Sequence, residues 1–161
     1  MPRSLAFKII KRLTSRKFPI VEWITTKELA GWLEDPLKPQ PIILDARTEA
    51  EYAVSHLKNA QRIDPYHSNL VVSAESKDTP IAVYCSVGYR SARIAEQLKQ
   101  AGFSHVYNLE GSLFKWANEE RPIYTDEHIT RLVHPYNQLW GRLLKPKYCA
   151  QVNGDETISA P

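Results

Sequence analysis

The stretch that decides the fold reads Ile81-Ala82-Val83-Tyr84-Cys85-Ser86-Val87-Gly88-Tyr89-Arg90-Ser91. Its first four residues are apolar or aromatic and predict a short buried strand. A helical pattern begins at Ser91, so the segment between them turns from a strand into a helix N-terminus. Cys85 therefore stands at the carboxyl end of a strand, where backbone N–H groups and the positive end of a helix stabilise a thiolate. We identify Cys85 as a candidate nucleophile.

Two further residues of this loop suit an anion. Gly88 permits positive φ and lets the loop N–H groups turn inward as a cradle. Arg90 adds a fixed positive charge, which either binds an anionic substrate or braces the loop against a carboxylate. Because the loop contains no histidine, activation of the cysteine would depend on N–H groups and the helix field. The alternative is a buried, inert cysteine, and we favour the functional loop.

Strands and helices alternate around this loop over residues 22–124. Apolar runs predict strands at residues 42–45, 60–63, 81–84 and 105–109. Helices are expected after capping-box sequences at Thr25 and Thr48, and at residues 66–73, 91–100 and 112–118. This alternation predicts an α/β fold with a mainly parallel central sheet flanked by helices.

Residues 1–21 form a basic leader, with six Lys or Arg side chains and no acidic residue. The rest of the chain carries 15 basic and 18 acidic residues, so the net charge of +3 belongs to the leader. Leu5, Ile9 and Leu13 recur at helical spacing. Three interpretations stay open: an extra helix docked on the domain, a peripheral membrane anchor, and the remnant of a targeting peptide.

Residues 125–161 form a C-terminal extension outside the alternating pattern. Its aromatic-rich part, residues 134–141, is expected to dock on the domain, and residues 153–161 are expected to be disordered. The second cysteine, Cys149, lies in this extension, and we interpret it as a bystander thiol rather than a partner of Cys85.

Composition argues against several functional classes. Two distant cysteines do not make a disulfide scaffold, and the five scattered histidines show no metal-ligand spacing. No apolar run approaches the roughly 18 residues of a membrane span. The domain itself is not basic, so no nucleic-acid partner is expected. We expect a monomer in the cytoplasm with neither metal nor cofactor, membrane association or organelle targeting through the leader being the alternative.

Residues 41–124 resemble the rhodanese-like (sulfurtransferase) domain family. The stretch Asp45-Ala46-Arg47-Thr48-Glu49-Ala50-Glu51-Tyr52 is similar to the family's Asp-x-Arg-x-x-x-Glu-aromatic segment. Residues 85–91 are similar to its active-site loop. Further similar segments follow in the family's order: Ala101-Gly102-Phe103, Tyr107-Asn108-Leu109-Glu110-Gly111 and Trp116. The resemblance implies a three-layer sandwich around a mainly parallel sheet.

The resemblance also implies a reaction. Cys85 would take sulfane sulfur from thiosulfate or a persulfide and pass it to a thiol acceptor such as thioredoxin or glutathione. The transferred sulfur would be held by the loop residues Ser86, Val87, Gly88, Tyr89, Arg90 and Ser91. Asp45, Arg47 and Glu51 are expected to support the loop, with Glu51 pairing with Arg47 or Arg90.

Two alternatives to this function stay open. Cysteine phosphatases and arsenate reductases of the same fold place five residues between their Cys and Arg, whereas four separate Cys85 from Arg90 here. The shorter loop favours sulfur over a tetrahedral oxyanion. A non-catalytic binding or persulfide-carrier module is the second alternative. The uncharged pair Ser86-Val87 weakens the case for a dedicated thiosulfate enzyme, since a dianion would benefit from a cation there.

Overall fold

Five parallel strands form the central sheet of the computed structural model, which describes residues 1–66, 71–126 and 128–153. They are β1 (Glu22–Ile24), β2 (Ile42–Asp45), β3 (Gln61–Arg62), β4 (Ile81–Tyr84) and β5 (Val106–Leu109). The helices are α1 (Arg3–Lys17), α2 (Thr26–Glu34), α3 (Glu49–Val54), α4 (Tyr89–Gln100), α5 (Ser112–Asn118) and α6 (Gln138–Gly141). A small antiparallel pair follows α5, made of β6 (Ile123–Thr125) and β7 (His128–Thr130).

The sheet has the strand order β1-β5-β4-β2-β3. Strand β4 lies between β5 and β2, and all four of its residues are buried. Its alternate residues point to opposite faces: Ala82 and Tyr84 pack in one apolar cluster, Ile81 and Val83 in the other. The structure thereby confirms the predicted α/β fold, with helices covering a mainly parallel sheet on both sides.

Local sequence signals account for most of these elements. Thr25 and Thr48 both form complete capping boxes, with Glu28 and Glu51 as the reciprocal partners. Helix α4 begins two residues earlier than predicted, at Tyr89. The helix predicted over residues 66–73 is wrong at residues 71–73, where two β-branched valines adopt no regular structure. Residues 67–70 of that prediction lie outside the described residues.

The basic leader forms helix α1, which is docked on the domain. Phe7 and Thr14 are buried beneath it. The Lys11 ammonium lies 2.7 Å from the Glu110 carboxylate, and Lys17 Nζ lies 2.5 Å from the Tyr89 hydroxyl. Of the three interpretations, the docked helix is the arrangement observed, and membrane contact and targeting stay predictions. Across the described residues, no helix combines the length and apolar character that a membrane crossing requires.

The C-terminal extension also packs on the domain as far as Tyr148. Val133, Leu144 and Tyr148 are buried in it. The side chain of Asn118, at the end of α5, accepts from the Lys145 N–H at 2.8 Å and donates to the Leu143 carbonyl at 2.7 Å. Within the aromatic segment, Tyr136 and Trp140 are partly buried against an apolar core cluster. The prediction of disorder over residues 153–161 lies outside the described residues, except at position 153.

Candidate active site

Cys85 lies directly after β4, at the carboxyl end of the sheet, with 1% of its surface exposed. Its Sγ accepts a hydrogen bond from the Gly88 backbone N–H at 3.1 Å and another from the Ser91 hydroxyl at 3.4 Å. Both donors belong to the turn and first helical turn that the sequence predicts. The loop therefore folds back on its own cysteine and directs donors at the sulfur.

The turn depends on Gly88. Its φ of 108° lies in the left-handed region, and it is the N-cap residue of α4. This conformation turns its N–H toward Cys85 while its carbonyl accepts from the Asn108 side-chain amide at 2.8 Å. The positive φ that the sequence predicts at this glycine is confirmed, and the N-terminus of α4 is thereby aimed at the thiol.

The pKa of the Cys85 thiol lies below its ordinary value. Burial opposes ionisation, but the positive charge of Arg90 and the hydrogen bonds from Ser91 and Gly88 together outweigh it. A lowered pKa increases the thiolate fraction at neutral pH, and the thiolate is the nucleophilic form. The site therefore favours a reactive rather than an inert buried cysteine.

Arg90 braces the loop against a carboxylate. Its Nη1 and Nη2 each lie 2.8 Å from an oxygen of Glu51, and Nη2 also lies 3.0 Å from the Ser86 hydroxyl. Ser86 donates in turn to Glu51 at 3.0 Å. Although burial opposes it, pairing with Arg90 lowers the pKa of Glu51 to about 2. Glu51 thus pairs with Arg90, and the Arg90 guanidinium contacts a carboxylate of the domain.

Asp45 and Arg47 form a second buried pair beside this one. Arg47 Nη2 lies 2.6 Å from Asp45 Oδ2 and also donates to the Ser55 carbonyl at 2.6 Å. The Tyr84 hydroxyl donates to the same Asp45 oxygen at 2.5 Å. These side chains tie the end of β2 to β4 and to the end of α3. Neither Asp45 nor Arg47 hydrogen-bonds to the Cys85 sulfur, whose donors are Gly88 and Ser91.

Sequence reasoning missed the role of Ser112. Its hydroxyl accepts from the Cys85 backbone N–H at 3.2 Å and donates to the Leu109 carbonyl at 3.0 Å. The first N–H groups of α5 continue the contact: Leu113 donates to the Cys85 carbonyl and Phe114 to the Ser86 carbonyl, both at 3.1 Å. Helix α5 thus clamps the backbone on the far side of the loop from α4.

A pocket of about 420 Å³ opens onto the cysteine. Helix α1 and the C-terminal extension both contribute to its walls, which no local sequence pattern predicts. The lining residues are Ile10, Leu13, Thr14 and Lys17 of α1, Cys85, Ser86, Val87, Tyr89 and Arg90 of the loop, and Tyr136 and Trp140 of the extension. The Tyr136 ring lies over the Arg90 guanidinium, 4.8 Å from centroid to Cζ. Cys85 therefore forms part of the wall of a pocket.

Cys149 stands apart from this pocket. It is half-buried, forms a backbone bridge with Val133 and is not among the pocket residues. Its thiol lies 3.7 Å from the Ala150 carbonyl. Within the described ranges, no three His, Cys, Asp or Glu side chains are grouped so as to hold a metal ion.

With this geometry in hand, comparison with known proteins identifies the family. The family model of the rhodanese-like domain matches residues 25–119. The chain belongs to the rhodanese-like domain family. The matched region contains every site residue predicted from the sequence, whereas α1 and the pocket residues Tyr136 and Trp140 lie outside it.

Similar proteins include parts of larger enzymes. The probable adenylyltransferase/sulfurtransferase MoeZ of Mycobacterium tuberculosis is 33% identical over 104 residues, which cover 62% of this chain and 25% of that protein. The tRNA uridine(34) hydroxylase of Escherichia coli is 30% identical over 106 residues, covering 62% and 29%. The chain thus spans less than a third of the curated relatives it matches.

A solved structure agrees with these matches. The thiosulfate sulfurtransferase of Pseudomonas aeruginosa superposes with a TM-score of 0.56 at 27% identity, covering 66% of this chain and 20% of that one.

Proposed function

We propose that this rhodanese-like chain is a sulfurtransferase that carries sulfane sulfur as a persulfide on Cys85. The observation that carries the proposal is the contact of the Cys85 sulfur with the Gly88 N–H and the Ser91 hydroxyl. Donors directed at the sulfur stabilise the thiolate that a nucleophilic step requires. The lowered pKa of Cys85 reflects this stabilisation. The family and the relatives named as sulfurtransferases support the same class of reaction.

The reaction divides into two displacements at sulfur. The Cys85 thiolate attacks the outer sulfur of a donor such as thiosulfate or a persulfide, forming a new S–S bond. The bond inside the donor breaks, and the electron pair leaves with sulfite or with the donor thiolate. An acceptor thiolate then attacks the outer sulfur of the Cys85 persulfide and returns the electron pair to Cys85. The cycle is ping-pong covalent catalysis and needs no external oxidant or reductant.

The loop is suited to the intermediate as well as to the thiolate. A Cys85 persulfide carries its negative charge one atom further from the cysteine than the thiolate does. Loop N–H groups at the N-terminus of α4 would stabilise that charge, as an oxyanion hole stabilises oxygen. Arg90 contributes its field while its guanidinium nitrogens stay bound to Glu51.

A thiol is the proposed acceptor class, glutathione and thioredoxin being the examples that the family resemblance suggests. A reactive thiol of this kind persists in a reducing compartment, so we place the reaction in the cytoplasm. The non-catalytic module is the competing account, and it predicts that Cys85 takes up no sulfur.

The proposal is tested by turnover with thiosulfate or a persulfide donor in two matched variants. Cys85→Ser is expected to abolish transfer, because an alcohol cannot form the persulfide. Cys149→Ser, outside the pocket, is expected to retain nearly all of it. Transfer that persists in Cys85→Ser would contradict the proposal, and equal loss in both variants would contradict the assignment of Cys149 as a bystander.

A further inference from the structure

The pocket over Cys85 has an apolar wall assembled from three separate segments of the chain. Its apolar and aromatic members are Ile10 and Leu13 of α1, Val87 and Tyr89 of the loop, and Tyr136 and Trp140 of the extension. Its volume of about 420 Å³ lies within the range of small-molecule sites. An occupant of this pocket would contact aliphatic and aromatic carbon around the reacting sulfur.

The basic groups of the pocket already have partners. Both terminal nitrogens of Arg90 are bound to Glu51, and the Tyr136 ring covers the guanidinium. With its pKa at about 2, Glu51 stays ionised and keeps its two hydrogen bonds to Arg90. Lys17 hydrogen-bonds to the Tyr89 hydroxyl and lies 5.2 Å from that ring's centroid. A dianion entering the pocket would have to compete with these contacts and would lose its hydration against apolar carbon.

We propose that this pocket selects an organic thiol and its persulfide with an uncharged, apolar body, in preference to thiosulfate and to charged thiols. The inference rests on the proposed function, since it names the substrate class of the same Cys85 site. The thiolate of such a compound attacks the outer sulfur of the Cys85 persulfide, forming its own persulfide. The Cys85 S–S bond breaks and Cys85 keeps the electron pair. The reverse reaction loads the enzyme from the organic persulfide.

Part of the selecting wall lies outside the matched domain. Leu13 belongs to α1 and Trp140 to the extension, whereas the family match covers residues 25–119. The domain thus provides the reactive loop, and the two ends of the chain determine which molecule reaches it. Leu13 is 59% exposed while lining the pocket, so it can be replaced without opening the core. Leu5 on the same helix is 46% exposed and is not a pocket residue, which makes it a matched control.

Alkylation tests the pocket without requiring sulfur transfer. The Cys149→Ser chain, in which Cys85 is the remaining thiol, is treated with iodoacetamide, iodoacetate and N-phenyliodoacetamide. Each rate is divided by the rate for the same chain unfolded in denaturant, which removes the intrinsic reactivity of the reagent. We expect the normalised rate of the phenyl reagent to exceed that of iodoacetamide by about tenfold, as burial of a phenyl group predicts, with iodoacetate slowest. Equal normalised rates would overturn the inference.

Two charge variants locate the selecting wall. Leu13→Lys places an ammonium group at the pocket and is expected to lower the phenyl preference at least about threefold and to raise the iodoacetate rate. Leu5→Lys adds the same charge to the same helix outside the pocket and is expected to change neither. Equal changes in both variants would mean that the overall charge of α1 sets the rates, and would overturn the inference.

Discharge of the persulfide separates this inference from the proposed function. Cys85 is first loaded with sulfur, and its loss is followed with benzyl mercaptan and with 2-mercaptoethanol. Faster discharge by benzyl mercaptan, lost in Leu13→Lys and kept in Leu5→Lys, is the expected result. A Cys85 persulfide that forms but shows no preference overturns the inference alone. A phenyl preference in alkylation without any persulfide overturns the proposed function, and with it this substrate class.

Discussion

Arg90 and Glu51 form a two-point ion pair, with both terminal guanidinium nitrogens 2.8 Å from the carboxylate oxygens. Glu51 lies in the first turn of α3 and Arg90 in the first turn of α4, so the pair joins two helix starts across 39 positions of sequence. The Ser86 hydroxyl contacts both partners. The reactive loop is therefore held in shape by a buried charge pair rather than by apolar packing alone.

Removing one partner of this ion pair should destabilise the fold. Glu51→Gln leaves Arg90 buried without its counter-charge, and we expect the free energy of unfolding to fall by about 3–5 kcal/mol. Glu49→Gln changes an exposed glutamate in the same helical turn and should stay within about 0.5 kcal/mol of the parent. Urea denaturation measures both. Equal effects of the two variants would show that the buried pair does not hold the loop.

The Arg90–Glu51 pair also predicts how the stability of the fold depends on pH. The pKa of Glu51 is lowered from an ordinary 4.5 to about 2, so its contribution is complete above 4.5 and is lost as the pH falls toward 2. The stability difference between the parent chain and Glu51→Gln should therefore shrink over that interval. Denaturation curves recorded at a series of pH values measure the difference. A difference that stays constant across the interval would contradict the assignment.

Because the pKa of Cys85 is lowered, its alkylation should begin at a lower pH than that of an ordinary thiol. In the Cys149→Ser chain, the midpoint of the iodoacetamide rate should lie below the ordinary thiol value of 9.0. Ser91→Ala removes a donor to the sulfur and should shift the midpoint upward, which lowers the rate at neutral pH. Ser104→Ala, at an exposed serine outside the loop, should leave the profile unchanged. A midpoint that does not move in Ser91→Ala would show that the Ser91 hydroxyl does not stabilise the thiolate.

A pair of glycine variants tests the turn. Alanine at Gly88 must adopt a φ of 108°, and we expect a loss of about 1–2 kcal/mol together with slower Cys85 alkylation. Gly31 lies in α2 with open space around it, so Gly31→Ala should stabilise the chain by about 0.5–1 kcal/mol. Thermal unfolding and the alkylation rate are measured on both. Normal alkylation in Gly88→Ala would show that the turn does not position the donors.

Signals within a few residues of each other made much of this fold predictable. The apolar run before Cys85 predicts β4, and the capping boxes at Thr25 and Thr48 predict two helix starts, because each depends on its immediate neighbours. The contacts within the site were harder to predict from the sequence. Whether Glu51 pairs with Arg47 or Arg90 depends on where α3 and α4 lie in space, which no local pattern determines.

The pocket wall was the least predictable part for the same reason. Leu13 and Trp140 are separated by nearly the whole described chain, and they meet at Cys85 only because both ends dock on one face. The amphipathic pattern of α1 predicts a helix but not the surface that it covers. Ser112 likewise gains its role from the packing of α5 against the loop, since its hydroxyl accepts from the Cys85 N–H.

The central claim is that Cys85 carries sulfur, and mass spectrometry of the peptide containing it tests this most directly. The parent chain, Cys85→Ser and Cys149→Ser are each incubated with thiosulfate and, separately, with an organic persulfide donor. The account predicts one additional sulfur atom on the Cys85 peptide in the parent and in Cys149→Ser, and none on the corresponding peptide of Cys85→Ser. A Cys85 peptide that gains no sulfur from either donor would contradict the account and support a non-catalytic binding module.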